Sequence, residues 1–171
     1  MRFGLLLLRV LVGGIFAAHG YAKLAGGQDK EWSPTVRRYL GPAFVEMAKP
    51  GLAGFAGMLG GMNVPLPKQM AAFVAGVEFF GGLAFVAGFF ARLAALLLAG
   101  DMAVAIAKVH WKNGLFGGSG FEFPLALLAG CLAVLFDGPG RLSLDNLFFG
   151  DRQQAALEDL QVAFIEAIRR R

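Results

Sequence analysis

The stretch FGLLLLRVLVGGIFAAHGYAKLA, Phe3–Ala25, decides the architecture. It is apolar for the length of a membrane crossing: a helix rising ~1.5 Å per residue needs about 20 residues to cover a ~30 Å hydrocarbon core. Three ionisable side chains interrupt it, Arg9, His19 and Lys23. His19 and Lys23 stand four residues apart, so on a helix they share one face, one turn from each other. Ala18-His19-Gly20 is a loose small-x-small site, but Arg9 breaks the run and the run outlasts the core of a signal peptide. The segment therefore reads as an anchor that carries a titratable pair near its end.

Working outward, the rest of the chain has the same character. Of 171 residues, 57% are hydrophobic and 16% charged, with a mean hydropathy of +0.61. A water-soluble domain of this length needs more polar surface. Further apolar runs give an expectation of four transmembrane helices, over about residues 3–25, 69–90, 92–110 and 121–137. The fourth is short and extends into DGPG or thins the bilayer locally. The expected fold is an all-α, four-helix membrane bundle.

In the second run, Ala72 with Gly76 and Ala84 with Gly88 have the small-xxx-small spacing of closely packed membrane helices. Glu78 shares a face with Ala71, Ala75 and Gly82, a stripe that points into the bundle rather than to lipid.

Between the first two spans, SPTVRRYL reads as a short helix with Ser33 as N-cap and Pro34 at its first position. The apolar Gly51–Met62 that follows is too short to span, so a re-entrant or interfacial segment capping the bundle is expected. At the other end of the chain, residues 148–171 form an amphipathic tail. Leu157, Leu160, Phe164 and Ile168 recur at helical spacing, Asp151 is a candidate N-cap, and the chain ends in three arginines. Such a helix suits an anionic membrane surface or a docking partner. Lys and Arg are shared almost evenly between the two sides, and the arginine-ended tail places both termini in the cytoplasm.

Charges at membrane depth default to functional hypotheses. His19, Lys23, Glu78, His110 and Glu122 gather towards one face and are the candidates for a polar pocket under the broken segment. Arg9, Asp101, Lys108 and Arg92 are expected to form a structural charge network, with Arg9 neutralising Asp101 or Glu78. Two histidines on different spans admit a haem or metal hypothesis, but no ligand spacing marks either, and no metal site is assigned. The single cysteine, Cys131, excludes thiol exchange by a cysteine pair and iron–sulfur ligation by this chain. No phosphate loop, nucleophile elbow or nucleic-acid signature is present, and the pI near 9.6 reflects membrane-flanking Lys and Arg.

HGYAKL, then VEFFGGLAFVAGFFARLAALLLAGDMAVAIAKVH, then FEFPLALLAGCLAVLFDGPGRLSLDNL occur in an order that resembles the DoxX family of small bacterial membrane proteins. The likeness runs from Leu5 to Leu147 and does not extend to the tail. It implies a four-helix domain over residues 1–147 in the bacterial inner membrane, related to subunits of a thiosulfate:quinone oxidoreductase. The family has no agreed catalytic residues. His19, Lys23, Glu78, Arg92, His110, Glu122 and the GPGRLSLD segment match its recurring polar positions. In that segment, Gly138, Pro139 and Gly140 end the fourth helix, and Ser143 and Asp145 are expected to cap the next turn.

Three functions follow as expectations. The first is a redox-associated membrane subunit binding quinone or another small molecule, with the bilayer and a protein partner around it. The second is a non-catalytic scaffold docking a larger complex. The third is a small transporter, which would need more helices or self-association. Homo-oligomerisation stays open, and no nucleic-acid partner is expected.

Overall fold

The computed structural model describes residues 3–150, all of whose regular structure is helical. In chain order the helices are α1 (Phe3–Ala25), α2 (Pro34–Ala48), α3 (Gly51–Gly61), α4 (Pro67–Ala87), α5 (Ala91–Asn113) and α6 (Glu122–Asp137). Helices α1, α4 and α5 are each long and apolar enough to cross a membrane. Helix α6 has 16 residues and packs along α5, and α3 is a shorter apolar helix. Of the expected tail, residues 148–171, everything from 151 onwards, the Asp151 cap included, lies outside the described residues. A helix already begins at residue 144, before the expected boundary at 148, because Ser143 caps it: its Oγ accepts the Asn146 N–H at 3.1 Å.

The packing inverts the rule of soluble proteins. Leu7, Leu11, Phe80, Leu96 and Val104 are exposed, whereas Ala71, Ala75, Ala91, Ala94 and Ala95 are buried. Lipid is as apolar as leucine, so helices gain nothing by hiding large side chains and associate where small residues let backbones approach. The α1–α4 crossing shows this directly. A Cβ on Gly82 would lie 2.6 Å from the Ala17 nitrogen, and one on Gly13 would lie 2.7 Å from the Gly82 carbonyl oxygen. The contact face of α4 is thus Ala71, Ala75, Glu78 and Gly82. Ala72 and Gly76, expected at an interface from their spacing, are not on it: Ala72 is exposed and a Cβ on Gly76 would meet open space. Cys131 is wholly buried in the α1–α4–α5–α6 core beside Leu98 and Phe85.

Two local features depart from simple spans. Helix α4 stops at Ala87 rather than running to residue 90, because Gly88 turns left-handed at φ +67° and Phe90 follows at φ +45°. Both α4 and α5 contain a π-helical turn, Val77–Gly81 in one and Ile106–His110 in the other.

The segment after α1 forms two helices. Ser33 caps α2 as expected, its Oγ accepting the Val36 N–H at 3.3 Å, and α2 bends at Gly41, where φ is +79°. Trp32, Phe44 and Ala48 pack on Ala22 in a second small core that ties α2 to α1. Helix α3 then folds back against α1 and α4.

Candidate functional site

The end of the bundle under α3 encloses a cavity of about 750 Å³. His19, Lys23, Glu78, His110 and Glu122 all line it, as do Asp101 and Lys108. Four helices supply these seven residues, and the two π-helical turns place three of them: Glu78 in one, Lys108 and His110 in the other. An extra residue per turn rotates the side chains beyond it relative to a regular helix. Such turns recur at functional sites. No hydrophobic pattern announces them, so the sequence carries no legible signal for this rotation.

Inside the cavity the charges are organised around Lys23. Its Nζ donates to both Glu78 oxygens at 2.6 Å and lies 4.2 Å from the centroid of the Phe55 ring on α3. One ammonium therefore joins α1, α4 and the roof helix. Glu78 is 4% exposed, so burial removes its water and the lysine replaces it. Asp101 on α5 stands beside the Lys23–Glu78 pair. Its Oδ2 is buried, and its carboxyl lies within hydrogen-bonding reach of the Glu78 carboxyl.

The imidazoles stand nearer the loop end of α5. His110 Nδ1 lies 2.9 Å from the Ser119 carbonyl oxygen, which also accepts from Asn113 Nδ2 at 2.9 Å. A carbonyl can only accept, so His110 Nδ1 carries the hydrogen and Nε2 is left for other contacts. The His19 ring faces Phe123 of α6, with centroids 6.5 Å apart. Methionines 47, 58, 62 and 102 line the same cavity and give it an apolar, adaptable wall. Among the described residues, no three His, Cys, Asp or Glu side chains come together as a metal-holding group.

The expected charge network takes a different form. Arg9 does not neutralise Asp101 or Glu78. Its guanidinium donates to the carbonyls of Pro139, Val86 (3.2 Å) and Leu142 (2.8 Å), where α4 ends and the chain turns after α6. Helix C-termini leave carbonyls unpaired and carry partial negative charge, so both Nη groups of the buried arginine find acceptors there, with the Asp145 carboxylate nearby. Arg92 lies at the same end, 3.4 Å from the Phe136 carbonyl, and is exposed. Asp101 and Lys108 belong to the cavity instead.

The GPGRLSLD segment is also reassigned in part. Ser143 does cap the following turn, but Asp145 caps α5, accepting the Phe90 and Ala91 N–H groups at 2.7 and 2.8 Å. That segment holds the opposite end of the bundle together and does not reach the cavity.

The family model for DoxX matches residues 4–111. The chain belongs to the DoxX family. With its long apolar helices it is a multi-pass membrane protein of that family. It is similar to a protein of Bacillus subtilis (strain 168) named "Putative oxidoreductase CatD", 30% identical over 148 residues that cover 86% of this chain and 89% of that protein. No solved structure matched it. The DoxX match takes in His19, Lys23, Glu78, Asp101, Lys108 and His110, and stops short of Glu122.

Proposed function

We propose that this DoxX-family protein is the quinone-binding membrane subunit of a redox complex in the bacterial inner membrane. The observation that carries the reading is the convergence of His19, Lys23, Glu78 and His110 on one largely apolar cavity of about 750 Å³. Small-molecule sites have about this size, with apolar walls and a few placed polar groups. A quinone ring needs a slot of this kind and polar partners at its two oxygens. An imidazole nitrogen can donate or accept a hydrogen bond, so His19 and His110 suit contact with a ring oxygen. The electrons come from a partner in the complex. The oxidoreductase name of the B. subtilis relative agrees with a redox setting.

In this reading the chain crosses the membrane four times with both termini in the cytoplasm. Helix α6 is about 24 Å long at 1.5 Å per residue, so it completes the fourth crossing with local thinning of the bilayer. It returns the chain to the end where Arg9 of α1 meets Pro139 and Leu142.

The test is quinone content. Protein purified in mild detergent should retain extractable quinone, and His19→Gln should lower that content with little change in melting temperature. Wild-type protein that retains no quinone, and takes none up on titration, overturns the proposal.

A further inference from the structure

The bundle is tight at one end and splayed at the other. From its π-helical turn onward α4 packs against α5, but its first half, Pro67–Gly76, packs against α1 and α3 instead. Helix α3 fills the resulting gap from the α1 and α4 side, and among the described residues it does not pack along α5 or α6. The cavity occupies what is left, and two of its wall residues show where it ends. Val104 of α5 is 60% exposed and Met58 of α3 is 46% exposed, although both line it. A side chain that faces a cavity and the outside together stands on a rim. The cavity is therefore open at the side of the bundle, between α3 and α5.

The depth of that rim decides what can use it. Val104 lies ~14 Å along the axis from Asn113, the end of α5. Val74, which lines the cavity from α4, lies ~10 Å from Pro67, where α4 starts. Both positions are well inside a ~30 Å hydrocarbon core, so the opening faces acyl chains and not water. The polar groups are set behind it: Glu78 is buried, and Lys23 turns its ammonium to that carboxylate. A single ring with small substituents fills only part of about 750 Å³, and Met47, Met58 and Met62 line the cavity with adaptable apolar surface. We infer that the ligand passes sideways between α3 and α5 and carries an apolar chain, which lies in the opening across Val104 and Met58 while the polar head stays with the buried charges. The inference rests on the quinone reading above and adds the ligand class: a chain-bearing quinone drawn from the bilayer, not a water-borne ring.

A chain in this opening exchanges lipid contacts for protein contacts of the same kind, so its position reports more than its affinity does. Full-length protein in lipid nanodiscs can be illuminated with a ubiquinone analogue that carries a diazirine midway along its alkyl chain, and the adducts mapped by mass spectrometry. Adducts are expected on Met58 and on residues 104–108, cut about tenfold by a tenfold excess of decylubiquinone through mass action. Val104 faces outward, so Val104→Trp adds bulk at the rim without entering the core, and it should lose these adducts. Leu96→Trp, on an exposed part of α5 off the cavity, should keep them. The wild-type map decides the matter even if Val104→Trp fails to fold. Competed adducts confined to the loop Gly114–Gly120 overturn the inference while the quinone reading stands, because the chain then leaves by the end of the bundle. Adducts that survive in folded Val104→Trp overturn it too, as do adducts that decylubiquinone leaves unchanged, which report a chain dissolved in lipid. Protein that neither retains nor takes up quinone overturns the quinone reading itself.

Discussion

Replacing Lys23 by methionine leaves the Glu78 carboxylate buried with no cation to answer it, because no other side chain among the described residues donates to it. Breaking one half of a buried pair costs about 3–5 kcal/mol, much more than the intact pair contributes. Lys23→Met should therefore lower the melting temperature sharply, and Lys23→Met combined with Glu78→Leu should recover much of the loss. A double variant no more stable than the single one would show that the pair is not the tie between α1 and α4. Arg9 makes a parallel case with neutral partners. Its planar fork reaches carbonyls from two turns of the chain, which a lysine ammonium cannot do from one point. Arg9→Lys should keep the charge and still destabilise, by about 1–3 kcal/mol for each carbonyl left dry. Thermal unfolding in detergent measures it.

Among the helices, the decisive contacts are made by backbone. Gly88 sits at φ +67°, and a Cβ there would fall 2.7 Å from Arg9 Nη1 and 2.5 Å from the Ser143 Cβ. Gly88→Ala meets conformational strain and a clash with the arginine clamp together. It should lower stability by more than the ~1 kcal/mol that a left-handed alanine costs alone. Asp145→Ala removes the cap from two N–H groups at the start of α5 and should cost about 0.5–2 kcal/mol. Hydrogen exchange should then speed up at Phe90 and Ala91 while the α1–α4 crossing stays protected. Faster exchange at that crossing as well would mean the cap supports the whole bundle.

For the whole molecule, the four helices α1, α4, α5 and α6 alternate in direction. Arg9, Gly88 and Pro139 meet at one end, and Lys23, His110 and Glu122 at the other. A reporter fused after Leu40 and one fused after Gly150 should therefore lie on opposite sides of the membrane. The same location for both would rule out an even number of crossings. The main core, from Val12 to Val134, closes among residues of α1, α4, α5 and α6. A chain ending at Gly150 should thus fold and stay in the membrane. Loss of the protein from the membrane on that truncation would show that residues 151–171 are needed to build the bundle.

Some of this could be read from the chain without its structure. Apolar length, the Ser33-Pro34 start of α2 and a charge within an apolar run are local properties, so the three long apolar helices, the shorter α6 and the helical segment between α1 and α4 were legible. So were His19, Lys23, Glu78, His110 and Glu122 as candidates sharing one face, because an ionisable group in a greasy helix stands out before its partner is known. The partners were not legible. The Nη groups of Arg9 bond to carbonyls, which every residue carries and no sequence pattern marks. Asp145 caps a helix that begins 54 residues earlier, and the π-helical turns bring Glu78 and His110 round to the cavity. Asp101, assigned by sequence to a network with Arg9, instead lines the cavity beside Glu78. Which charge answers which depends on helix rotation and depth in the bundle. Those are settled by the close backbone approach of Gly13, Ala17 and Gly82, a three-dimensional fit that spacing along the chain does not contain.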